Sequence, residues 1–232
     1  MYYAPILYED LKNNFGPEYI GQELTYNQIC RRLNKFVTKT GSKVKTYKDP
    51  TLEQSKKSKY QPFTFSGYYE GDKEEFPITI FIHMEPNRNY FKFTRNNYSN
   101  FIFVLSQTIQ HELIHFSQDC FRDEDYEYLE QEKTLKVKHS NRLGKERVQQ
   151  IKYLSDWSEI EAYAHDIAME INFYYPDLNR YHILKNMEKY PKLVTYRYFT
   201  SVFKGTEWFD LKKTLISKIL RWIDYAPVPY FL

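Results

Sequence analysis

The stretch Gln110-His111-Glu112-Leu113-Ile114-His115-Phe116 constrains this chain more than any other. Its two histidines stand four residues apart, and a helix of about 3.6 residues per turn projects both from one face. One metal ion can then take both imidazoles, with Glu112 pointing into the adjacent space where a water would sit. The surrounding pattern predicts a helix over 101–116. Ile102, Leu105, Ile109, Leu113 and Phe116 form an apolar stripe, and His111 and His115 fall on the neighbouring stripe with Val104 and Thr108. The histidines therefore border the core rather than open water.

A catalytic zinc site takes three protein ligands and keeps one position open, so a further carboxylate or imidazole is expected on a second rigid element. The segment 155–168 reads as that element, a helix with Trp157, Ile160, Ala164, Ile167, Ala168 and Ile171 on one face. Glu161 lies at the edge of this face, in line with Ala164, His165 and Ala168, where small side chains let another helix come close. It is the expected third ligand. Glu159 follows Asp156 at capping-box spacing, which assigns it to the helix start, and it projects nearly opposite the apolar face. His139 is a further rival, but no helix face holds it.

With the His-Glu-x-x-His motif and this second helix, the chain resembles the zincin class of zinc metallopeptidases. Within that class it is most similar to the gluzincins, whose third ligand is a glutamate followed by a small residue at three positions and a polar one at four. Read from Glu161, the chain supplies Ala164 and His165, then Ile167 and Ala168. The family more often has Asp or Asn where His165 stands. The resemblance spans roughly residues 77–175. The small size and the richness in Tyr, Lys and Asn also resemble metallopeptidase-like proteins of tailed phages.

The resemblance implies an α+β fold of zincin type, with a small antiparallel or mixed sheet packed on the active-site helix. A catalytic domain over 1–175 and a mostly helical extension over 176–232 are expected. Apolar residues make up 42% of the 232 residues and aromatics 19%, ample for a core. Thr25 and Gln28 open a helix over 25–40, with Ile29, Leu33 and Phe36 on one side. Strands are predicted at 44–47 and 63–69, joined by the lysine-rich stretch 48–60. Pro77–His83 is the most strand-like run, with 91–94 following, and is expected as the edge strand bordering the cleft. His83 reads as an ordinary strand histidine. The charged stretch 122–150 connects the two helices, has the polarity of a gating insert, and holds a short helix near 142–153. Over 206–225, Leu211, Leu215, Ile219 and Trp222 recur at helical spacing.

A net charge of +3 is too weak to imply nucleic acid by itself, and the lysines of 43–59 read as a solvated loop. No apolar run has the length of a membrane helix, and the N-terminus lacks the regions of a signal peptide, so an intracellular protein is expected. Cys30 and Cys120 read as buried free thiols.

What the constellation and the resemblance imply is a Zn2+ cofactor on His111, His115 and Glu161. Glu112 is then the general base, acting on a protein or peptide substrate. His165 or Tyr163 would steady the oxyanion, or His165 would orient a zinc histidine. Two alternatives compete: a non-catalytic interaction or virion-associated protein with a structural metal, and a protease of the SprT-like kind acting at DNA.

Overall fold

A computed structural model describes residues 4–49, 64–72, 75–84, 89–120 and 144–225. Most of the lysine-rich connection, most of the charged insert and His139 lie outside the described residues. The chain is α+β, with small sheets among long helices. It divides into two compact units, Met1–Phe116 and Ser117–Leu232. The division falls inside the helix that carries the histidine motif, whereas the sequence places the boundary at 175.

The first unit opens with α1 (Ala4–Asn14), then β1 (Glu23–Thr25) and α2 (Tyr26–Val37). Thr25 accepts from the Gln28 backbone N–H while the Gln28 side chain accepts from the Thr25 N–H, so the capping box forms as expected. Ile29, Leu33, Phe36 and Val37 are buried on one face. Asn34, on the same helix, grips the next strand: its Nδ2 donates to the Val44 carbonyl at 2.9 Å and its Oδ1 accepts from the Val44 N–H at 2.7 Å. Gly41 adopts φ +73, a left-handed conformation that suits glycine, and turns the chain into that strand.

Three strands, β2 (Ser42–Lys48), β3 (Thr64–Tyr69) and β4 (Ile78–Met84), form a mixed sheet in the order β2-β4-β3. β4 is parallel to β2 and antiparallel to β3. It is thus the central strand, not the edge strand expected. The physical reason lies in its own composition. Ile78, Ile80, Ile82 and Met84 are buried on one face and Thr79 on the other, the near-continuous burial of a strand flanked on both sides. Nor does β5 (Tyr90–Lys92) extend this sheet; it pairs with β1 through Leu24 and Phe91.

α3 (Arg95–Cys120) follows. Its N-terminal half enters an aromatic core in which Phe15, Phe93 and Phe101 lie with ring centroids 5.2 to 5.7 Å apart. Each such ring fully buried contributes roughly 1.5–3 kcal/mol of hydrophobic stabilisation. The inner face of β3 lies along α3, with Phe65 against Phe101 and Tyr69 against Phe116. The apolar stripe of α3 holds at Ile102, Leu105 and Ile109, but Phe116 at its end is exposed.

In the second unit, α4 (Lys145–Leu154), α5 (Trp157–Tyr174), α6 (Arg180–Lys185), α7 (Val194–Val202) and α8 (Gly205–Trp222) follow the last turn of α3. α5 is the central helix, buried almost continuously from Ile160 to Phe173. Leu211, Leu215 and Ile219 of α8 and Phe199 of α7 supply apolar cover within this unit. Polar ties fix the packing: Asn172 donates to the Ile223 carbonyl at 2.9 Å, and the Glu170 carboxylate accepts from both the N–H and the hydroxyl of Thr195. No helix among the described residues is long and apolar enough to cross a membrane.

Candidate metal centre

α3 places His111 and His115 one turn apart, with ring centroids 5.0 Å from each other. His111 is buried and His115 half-buried, as their position beside the apolar stripe implies. Glu112 is also buried, beneath β3. A Cβ added at Gly67 would run into the Glu112 carboxylate, so the strand passes close over it and a larger residue there would displace it. The spacing of the motif does not reveal this contact.

α5 begins at Asp156, whose carboxylate accepts from the Ser158 N–H at 2.9 Å. That contact is to the second helical position, where a capping box would use the third. Gln118, in the last turn of α3, donates to the Ser158 carbonyl at 3.3 Å and ties that turn to the residue preceding Glu159. The Tyr153 phenol lies 3.5 Å from the Tyr163 hydroxyl. Burial, the neighbouring phenol and Glu159 all push the Tyr153 pKa up. Burial likewise raises that of Tyr163, although its hydrogen bond to Tyr153 opposes the effect. Both phenols therefore keep their protons and remain donors.

His111, His115 and Glu159 each offer a ligand atom, and these atoms lie within 4.8 Å of one another. Two imidazoles and a carboxylate are a donor set that zinc takes, with bonds of about 2 Å.

Glu161, the third ligand expected from the sequence, has its carboxylate engaged elsewhere. Oε2 forms an ion pair with Lys218 Nζ, and Oε1 accepts from the Trp222 indole N–H at 2.7 Å. The Lys218 ammonium also sits over the Trp157 ring, 3.4 Å from its centroid. His165 is 1% exposed and packs edge-on against Trp222 at 5.1 Å. Ala164 and Ala168 thus share a helix with residues whose partners come from α8. The sequence held one signal for this: Lys218 interrupts the apolar spacing Leu211, Leu215, Ile219, Trp222. A lysine on a core-facing stripe needs a carboxylate, and Glu161 supplies it. Tyr153 carries no such signal, since it closes a short helix without distinguishing spacing.

Comparison of the chain with protein-family models, with curated proteins and with solved structures gives no match.

Proposed function

We propose that the chain is a zinc-dependent peptidase of zincin type, in which His111, His115 and Glu159 hold the metal and Glu112 is the general base. The observation that carries this reading is the grouping of one ligand atom from each of the three residues within 4.8 Å, the two histidines standing on the helix that also bears Glu112. A zinc ion held there supplies Lewis acidity and lowers the pKa of its water from about 15.7 towards 7.

The remaining roles belong to the protein's own side chains. Glu112 accepts the proton of the attacking water and returns it to the leaving amine nitrogen. Its burial under Gly67 limits the positions its carboxylate can take, which favours a fixed distance to the reacting atoms. Tyr153 and Tyr163 hold phenolic protons beside Glu159 and are the donors assigned to the developing oxyanion. β3, rather than Pro77–His83, is an edge of its sheet among the described residues, and its outer backbone groups can pair with an extended peptide.

The test is turnover of a quenched fluorescent peptide mixture by zinc-loaded protein, beside the Glu112→Gln variant. Cleavage by the wild type and its loss in a variant that still binds one zinc are expected. Equal cleavage by both, or none by the zinc-loaded wild type, would overturn the peptidase assignment.

A further inference from the structure

On the face of the β2-β4-β3 sheet opposite Glu112, three side chains form a continuous hydrogen-bond chain. Ser66 Oγ lies 2.7 Å from His83 Nε2, and His83 Nδ1 lies 2.9 Å from Asp49 Oδ2. A carboxylate only accepts, so Nδ1 carries the proton of the neutral ring and Nε2 is left to accept from the serine hydroxyl. Nucleophile, base and orienting carboxylate thus stand in the order and spacing that acyl-transfer enzymes use on unrelated folds. We propose that Ser66, His83 and Asp49 are a second catalytic centre, a serine esterase site independent of the metal.

The fold holds the members on two neighbouring strands and on the residue that follows a third. Ser66 is on β3, in the pair with Phe81 and diagonal to His83 of β4. Asp49 follows β2, and its N–H donates to the Met84 carbonyl at 2.9 Å, which continues the ladder and fixes the carboxylate beside the ring. Exposure is graded as the chemistry needs: Ser66 is exposed, while the His83 and Asp49 side chains are only 17% and 15% exposed. The nucleophile is reachable and the base is shielded. Glu70 N–H donates to the Pro77 carbonyl, which sets the alternation of the β3–β4 ladder and turns the Gly67 N–H towards the open edge, next to Ser66. That N–H is the donor assigned to the oxyanion.

Around His83 the surface is aromatic. Tyr47 meets the ring edge-on at 5.2 Å and lies 6.5 Å from Phe81, and Tyr47 and Tyr68 are both exposed. Such a surface suits a carboxylic ester with a flat or apolar group. Ser66 Oγ forms the bond to the ester carbonyl carbon as its proton passes to His83 Nε2. The ester C–O bond then breaks, and the alcohol leaves with that proton. Water attacks the acyl-serine, gives one proton to His83, and the acid departs as Ser66 recovers its hydrogen. The net reaction is ester plus water to acid plus alcohol.

The full chain is treated with chelator and then with a fluorophosphonate probe and with p-nitrophenyl butyrate, beside the variants Ser66→Ala, His83→Gln, Asp49→Asn, Asp49→Glu and His115→Ala. Labelling at Ser66, mapped by peptide mass spectrometry, is expected in the wild type and in His115→Ala. Ester hydrolysis should fall at least about a hundredfold in Ser66→Ala and His83→Gln. Asp49 is a positioning residue: Asp49→Asn should lower kcat with little change in KM, and Asp49→Glu should recover part of it. No label, a label on another residue, or hydrolysis by Ser66→Ala equal to wild type would overturn the proposal. Ester hydrolysis lost on chelation or in His115→Ala, with Ser66 unlabelled, would place the activity at the metal centre instead and leave the peptidase reading standing.

Discussion

Replacing Glu161 by glutamine separates a structural carboxylate from a metal ligand. The Glu161 and Lys218 side chains are 11% and 5% exposed, so removing the charge strands an ammonium inside the second unit. Breaking one side of a buried pair costs about 3–5 kcal/mol. The lower end applies here, because the Trp157 ring still faces the ammonium and a glutamine oxygen can still accept from Trp222. For a chain of this length about 3 kcal/mol corresponds to a fall in Tm of roughly 6–12 °C. Differential scanning calorimetry of chelator-treated protein measures it, and atomic absorption on the same preparations gives the zinc content. Glu161→Gln should melt lower yet bind one zinc, and the double variant with Lys218→Met should regain much of the lost stability. Unchanged melting with lost zinc would refute the reasoning and return Glu161 to the ligand role.

Three other consequences follow from local contacts. Gly67→Ala sets a methyl group against Glu112 Oε1, so peptide turnover should fall by about a hundredfold while zinc is retained; wild-type turnover would mean the carboxylate does not need its place under β3. Thr25→Ala removes a cap and should cost about 1 kcal/mol in urea unfolding, with an unchanged midpoint contradicting the capping box. Burial pushes the Cys30 thiol up from 9.0 to about 11 and the Tyr8 phenol up from 10.0 to about 12. The folded state then holds these protons more tightly than the unfolded chain, so their contribution is intact below pH 9 and is lost as pH rises from 9 through 12. Urea midpoints should decline across that window. Cys120, at the polar end of α3, is exposed and Cys30 half-buried, not both buried as expected, so iodoacetamide at pH 8 should modify Cys120 first. A midpoint that rises with pH would contradict the assignment.

Much of this arrangement is legible in the residues themselves. The α3 and α5 helices follow from apolar spacing, and the capping box of α2 from Thr25 and Gln28. Two kinds of information are not. Strand order depends on which partners meet, so β4 was recognisable as a strand but not as the central one. Nor is the partner of Glu161 legible: that glutamate satisfies the family pattern, while Lys218, which takes its carboxylate, lies on a helix far along the chain. The Ser66–His83–Asp49 chain is hidden for a similar reason, since its members come from three separate segments and no local motif joins them.

Zinc stoichiometry of Glu159→Gln, measured beside wild type and His115→Ala after dialysis against a weak chelator, tests the central claim most directly. One zinc per chain in the wild type, and loss of most of it in both variants without a change in folding, is the expected result. Full zinc occupancy in Glu159→Gln would contradict the account.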